Sequence, residues 1–206
     1  MAQVTRGIRS VLSSPAVYST LQRLLGAKRV RTILSREYIR AADGDIVVDV
    51  GCGPADILEC IHVPIRYFGF DLSQPYIDAA QATHGARGSF RCADITQLPI
   101  EDIPPCQVAI AIGLLHHLDD EGVRHLVGNL HQRLAPGGRL VTFDCAYWPG
   151  QPRVARFLIS KDRGQNVRHG EAYRDLAATV FANVELTRRD DLLNVPYTHA
   201  ILECTK

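Results

Sequence analysis

Apolar positions change their spacing near Asp45. Before it, Leu21, Leu24 and Leu25, then Val30, Ile33, Leu34 and Tyr38, recur every three or four residues, the period of a helix with one apolar face. Residues 1–42 therefore read as helical, with Pro15 separating a short leading segment. After Asp45, short apolar runs alternate with helical stretches. IVVDV (46–50) predicts a buried strand and PADILECIH (54–62) a helix with proline in its first turn. RYFGFDL (66–72) predicts a second strand, and QPYIDAAQATHG (74–85) a helix stopped by Gly85. SFRCADI (89–95) and QVAIAIG (107–113) predict the third and fourth strands. DDEGVRHLVGNLHQRLA (119–135) is a long helix ended by Pro136-Gly137-Gly138, and RLVTFDCAY (139–147) a fifth strand. Helices are expected over 153–161 and 170–181. Then ANVELTRR (182–189) and THAILECT (198–205) alternate with strand period, and their short connection predicts an antiparallel pair.

Strands alternating with helices require right-handed crossovers, hence a mostly parallel sheet with helices on both faces. The expected organisation is a helical segment over 1–42 and an α/β domain over 43–206, forming one compact unit. Sheets of this kind bind ligands beyond the carboxyl ends of their strands, so strand ends are where chemistry is to be sought.

Composition narrows the classes. Apolar residues are 46% and charged ones 22%, a balance that supports a packed core. With 23 Lys+Arg against 22 Asp+Glu there is no bulk field for nucleic acid or an anionic membrane, and Lys28-Arg29-Val30-Arg31 reads as a solvated helix face. The six cysteines form no CxxC pair, so spacing signals neither a disulfide framework nor a metal site, and no metal is expected. With no signal-peptide pattern and no 18-residue apolar segment, a cytoplasmic protein without a membrane partner is expected.

The strand ends carry acids. In IVVDVGCGPAD, Asp49 precedes two glycines one residue apart. Glycine spacing alone would fit a nucleotide turn. The dinucleotide fingerprint, however, needs a sixth-position glycine, which here is Asp56, and Pro54 removes an amide that a phosphate would use. A carboxylate two residues before the first glycine suits an ammonium group better than a pyrophosphate. Asp71, in FGFDLS and 22 residues on, is placed to accept both hydroxyls of a ribose; an N-cap is the alternative. Asp94, in RCADI, is placed to accept from an exocyclic amine. Together the three describe a ligand with an amine, a ribose and an adenine, and no phosphate.

This constellation resembles the class I S-adenosylmethionine-dependent methyltransferases from about residue 45 to 147. DVGCGPA is similar to the family's glycine-rich motif, with Ala55 where a third glycine often sits. FGFDLS is similar to the ribose motif, CADI to the adenine motif, and IAIGLLHHLDD and LAPGGRLVTFD to the segments around the fourth and fifth strands. The resemblance implies a three-layer Rossmann-like fold with a seven-stranded, mostly parallel sheet, an antiparallel last strand and extra N-terminal helices. It implies S-adenosyl-L-methionine as cofactor and S-adenosyl-L-homocysteine as product. It assigns Asp49 and the Gly51-Cys52-Gly53 turn to the methionine moiety and Asp71 to the ribose. Leu72 is implied to pack on the adenine, with Asp94 and the Ile95 amide at its edge and Gly113 beside the methionine arm. Ala55 should be tolerated unless its turn needs positive φ. The leading helices are implied to lie over the open end of the pocket, with Arg31 or Tyr18 reaching the cofactor carboxylate or the substrate.

On the acceptor side, His116 and His117 follow the fourth strand, facing the transferable methyl in this architecture. Either is a candidate base or substrate donor; the alternative is a loop entering a helix, with Asp119 or Asp120 as N-cap and a histidine merely packing. In the polar run 161–170, Arg163 and Arg168 suit an anionic acceptor through forked hydrogen bonds, or lie on a solvated loop. Trp148 either walls the pocket and faces the sulfonium with its π system, or packs on the sheet. The expected function is methyl transfer to a small molecule, oxygen preferred. RNA methylation is disfavoured by charge and by Gly113-Leu114-Leu115-His116 where base-amine enzymes carry an NPPY-type tetrapeptide. A non-catalytic cofactor-binding regulatory subunit would also fit the three acids. A nicotinamide oxidoreductase is weakened by Pro54 and Asp56.

Overall fold

A computed structural model describes residues 26–206; the expected helical positions before Gly26, with Pro15 and Tyr18, lie outside the described residues. Seven strands form one sheet: β1 (Ile46–Val50), β2 (Arg66–Asp71), β3 (Gly88–Cys92), β4 (Cys106–Ile112), β5 (Leu134–Cys145), β6 (Asn183–Arg189) and β7 (His199–Thr205). Their order is β3-β2-β1-β4-β5-β7-β6. The first five pair in parallel, while β7 runs antiparallel to both β5 and β6, with Phe143 opposite Ile201 and Leu186 opposite Leu202. The predicted pair of final strands forms. β7 takes the inner place because HAILECT carries a run of apolar residues that both faces can bury, whereas NVELTRR carries charged residues; five of the seven β7 residues are buried and none of β6. A strand buried on both faces is protected in the sheet interior, and the half-exposed one is left at the edge.

Alternation along the strands divides the core. Val48, Ala109, Ala111, Leu140 and Leu202 face one side, with Leu126 and Leu130 of α3 (Asp120–Arg133) and Tyr173 and Leu176 of α5 (Gly170–Ala178). Val47, Val108, Ile110, Val141 and Ile201 face the other, under α1 (Ala27–Ile33) and the π-helical turn Leu34–Ile39 that continues it. Helices α2 (Gln74–His84) and α4 (Arg153–Ile159) are the remaining α-helices among the described residues. The Asp119 carboxylate caps α3 by accepting from the Gly122 amide at 2.8 Å. Among the described residues no helix is long and apolar enough to cross a membrane.

One predicted helix does not form. Residues 54–62 contain only a one-turn 3-10 segment, Asp56–Glu59. Ala55 enters it at φ 59°, in the left-handed region. The carbonyls of Leu58 and Ile61 accept from the Arg87 guanidinium, and that of Cys60 from the Ser35 hydroxyl at 2.8 Å. Of these, only the Leu58 carbonyl would have bonded within the predicted helix; all three are satisfied instead by side chains distant in sequence.

Candidate functional site

Strand order reverses between β1 and β4, and the site residues gather there at the carboxyl ends. The turn after β1 is drawn in by its neighbour strand: the Gly51 and Cys52 amides both donate to the Phe70 carbonyl, at 2.8 and 3.0 Å. A Cβ on Gly53, at φ 53°, would meet no described atom within 4 Å, so the space beside this backbone is open. The Gly53 amide donates to Asp71 Oδ2 at 2.9 Å, and the Ser73 amide to Oδ1 at 2.8 Å. Each oxygen keeps lone-pair capacity, leaving a carboxylate aimed by two amides and ready to accept more. Asp94 accepts from the Thr96 amide and hydroxyl, both on Oδ1. Leu72 is 45% exposed, an apolar surface beside Asp71, while Ile95 is buried.

Asp49 is 2% exposed. The Tyr67 hydroxyl donates to its Oδ2, and its Oδ1 is buried with no hydrogen-bond partner among the described residues. Burial pushes the carboxyl up to about 7, with Tyr67 pulling against it and the Asp71 charge adding to it. A buried, half-satisfied carboxylate next to an open glycine turn is chemically matched to a cation with N–H donors, such as an α-ammonium group. The residues present therefore fit the cofactor that the strand-end acids describe.

The acceptor side is a polar knot. His116 lies in the 3-10 turn Leu115–His117 after β4 and is 7% exposed. Its Nδ1 is 2.7 Å from Asp144 Oδ1, at the end of β5, and its Nε2 is 3.2 Å from Asp162 Oδ1, after α4. Burial alone would lower this imidazole; the hydrogen bonds and charges of Asp144 and Asp162 outweigh it and hold it up at about 9. The same contacts, the Gly164 amide and the Tyr197 hydroxyl overcome burial at Asp162 and hold its carboxyl well below the usual range. The loop bearing Asp162 closes tightly here: the Asn166 amide donates to the His116 carbonyl at 2.9 Å. A Cβ on Gly164 would fall 2.1 Å from His116 Cδ2, so no larger residue fits. His117 differs. Its ring lies 4.2 Å from that of His116. Burial first, then the charges of His116 and Arg163, lower its pKa. Near neutral pH, His116 is an imidazolium and His117 a neutral imidazole.

This revises several expectations. A base must have a free nitrogen; both nitrogens of His116 are taken by carboxylates, so its expected base role is not available in this arrangement. Arg168 is not free to meet an acceptor either. Its guanidinium donates to the carbonyls of Leu115, Leu118 and Asn166 and to Asp120 Oδ1, clasping the post-β4 turn to the loop after α4. Trp148 packs structurally: a Cβ on Gly170 would fall 2.1 Å from its ring, and the Arg188 guanidinium already lies 5.6 Å from the ring centroid. Arg31 pairs with Asp56 at 3.1 Å, just past the glycine turn. Arg163 stays beside His117, and Gly113, at φ 69°, faces His116 Cε1. Asp144, Asp162 and Tyr197 were given no role by sequence. Asp144 had a signal: it is a fourth acid at a strand end, after Asp49, Asp71 and Asp94.

Residues 47–138 match the model of a family described as a methyltransferase domain. Among solved structures, the fold is similar to the pyocyanin biosynthetic protein PhzM, with TM-score 0.73 and 19% identity over 98% of this chain and 62% of that one. It is similar to the mitomycin 7-O-methyltransferase MmcR, with TM-score 0.67 and 16% identity over 94% of this chain and 59% of that one. It is also similar to the N-methyltransferase NodS from Bradyrhizobium japonicum WM9, with TM-score 0.64 and 16% identity over 95% and 98%. The chain thus spans about three fifths of the length of PhzM and MmcR. At these identities the likeness to the solved structures is one of fold.

Proposed function

We propose that this chain, which carries a class I S-adenosylmethionine-dependent methyltransferase domain, methylates an oxygen of a small-molecule acceptor. The observation that carries the reading is the open turn at Gly53 flanked by the buried, half-satisfied Asp49 and the amide-aimed Asp71. Asp49 would hold the methionine ammonium, beside the Gly51-Cys52-Gly53 turn. Asp71 would accept the ribose hydroxyls. Leu72 would pack on the adenine, Asp94 and the Ile95 amide would take its edge, and Gly113 would line the methionine arm. When bound, S-adenosylmethionine supplies a methyl group already activated on a sulfonium. The protein's own task is then alignment and exclusion of water.

A hydroxyl acceptor must lose a proton, and His117 is the histidine suited to take it. Burial and the positive charges beside it lower its pKa, so it is neutral near pH 7. The Arg163 charge beside it would favour an anionic acceptor or the developing alkoxide.

The test is transfer of labelled methyl from S-adenosylmethionine to panels of phenols, sugar hydroxyls, carboxylates and amines, with product analysis by mass spectrometry. Oxygen methylation is expected, and His117→Ala should lower kcat by about 10²–10⁴-fold. Methylation on nitrogen alone would overturn the choice of atom. Cofactor binding with no acceptor methylated would favour the regulatory-subunit reading, and binding of NADH alone would overturn methyl transfer altogether.

A further inference from the structure

Cysteine spacing along the chain signals no metal site, yet folding assembles a donor set. His116, Cys145 and Asp162 come from the turn after β4, the last residue of β5 and the loop after α4. An imidazole nitrogen, a thiol sulfur and a carboxylate oxygen from these three residues all lie within 4.8 Å of one another. His116 and Cys145 are buried and Asp162 is half-buried.

The surroundings of these atoms are those of a built site. Asp144 Oδ1 holds His116 Nδ1 at 2.7 Å, which leaves Nε2 as the nitrogen turned to the cluster. Metal-bound histidines nearly always give their second N–H to such a carboxylate. Asp162 is oriented by the Gly164 amide at 2.8 Å and the Tyr197 hydroxyl at 3.0 Å, as ligating carboxylates usually are. Asp144 itself is 1% exposed, and its Oδ2 is buried with no hydrogen-bond partner among the described residues. Two carboxylates therefore flank one imidazole in a buried place. A divalent ion bound there, with the Cys145 thiol proton released, turns three scattered contacts into bonds to a single centre.

We propose that His116 Nε2, Cys145 Sγ and the Asp162 carboxylate bind one divalent ion of the zinc type. Mixed nitrogen, sulfur and oxygen donors select zinc or cobalt over magnesium and calcium, which take oxygen ligands. Three protein ligands with a fourth position left over is the composition of a catalytic zinc site; structural sites close with four. The ion pins the loop after α4 to the ends of β4 and β5. Given the methyl transfer proposed above, on which this further role rests, it also polarises an acceptor oxygen reaching that fourth position.

The experiment uses the full chain, stripped with chelator and then titrated separately with Co²⁺ and Zn²⁺, with S-adenosylmethionine binding measured by calorimetry on the same samples. One cobalt per chain, with a thiolate-to-cobalt charge-transfer band displaced by zinc, is expected. Cys145→Ser should lose that band and still bind S-adenosylmethionine, which shows that it is folded. Asp144→Asn should weaken zinc by about 10–100-fold. If Cys145→Ser does not fold, Asp162→Asn serves, with loss of tight zinc binding expected. Substoichiometric metal, unchanged zinc affinity in Asp162→Asn, or a charge-transfer band that survives Cys145→Ser would overturn the site. Such a failure with cofactor binding intact leaves the methyltransferase reading untouched.

Discussion

Raising the pH of metal-free protein from 6.5 to 9 should remove about 3 kcal/mol of folding stability, through His116 alone. In the unfolded chain this imidazole titrates near its ordinary 6.5, whereas between Asp144 and Asp162 it titrates at about 9. Below 6.5 both states carry the proton, and the stabilisation by the two carboxylates is complete. Between the two values the fold still binds a proton that the unfolded chain has released, so stability falls as pH rises; above 9 the contribution is gone. At about 1.36 kcal/mol per pH unit, the interval corresponds to about 3 kcal/mol. Other perturbed groups enter this window only at its two ends. At the upper end the Cys52, Cys106, Cys145 and Cys204 thiols, held up by burial, add to the loss as their unfolded-state counterparts ionise near 9.0. At the lower end Asp49, raised to about 7, loses most of its own contribution before the window begins and the remainder just inside it. His199, lowered to about 4 by burial, acts below 6.5. Urea unfolding across the interval, with chelator present, measures the slope. His116→Gln should lose about 3 kcal/mol less than the wild type over the same range. A flat wild-type profile, or an equal slope in the variant, would refute the two-carboxylate clamp as the source.

Other expectations follow from single contacts. Asp71→Ala should weaken S-adenosylmethionine binding by about 1.5–3 kcal/mol, the range for hydrogen bonds to a charged group; unchanged affinity by calorimetry would remove Asp71 from the site. Ala55→Gly relieves a left-handed residue, about 1–2 kcal/mol, and deletes one buried methyl, about 0.8 kcal/mol. Thermal unfolding should therefore show no change or a gain of about 1 kcal/mol, and a clear loss would mean that the φ of 59° is not strained. Arg168→Met should lower stability by about 2–3 kcal/mol through the orphaned carbonyls of Leu115, Leu118 and Asn166. A raised acceptor KM with unchanged stability would return Arg168 to substrate binding.

The sheet was legible because its signals are local. Val47 and Val48, or Leu140 and Val141, alternate between two core clusters as residues of a strand must, and Asp49, Asp71 and Asp94 lie in or just after the runs that form β1, β2 and β3. The missing helix at 54–62 was not legible, because the side chains that hold this segment, Arg87 and Ser35, lie 26 to 29 and 25 residues away. Arg168 read as a substrate ligand because an arginine in a polar loop looks the same until the carbonyls it binds are known.

The sequence alone determined the strand–helix alternation, the glycine turn after β1 and the three acids at successive strand ends, since each depends on neighbours a few residues away. Only the tertiary structure decided that one of two adjacent histidines is charged and the other neutral. It also brought His116, Cys145 and Asp162 within metal-ligand reach. The physical reason is that burial and Coulomb energy depend on distance through space. The carboxylate at His116 Nδ1 lies 28 residues along the chain yet 2.7 Å away in the fold.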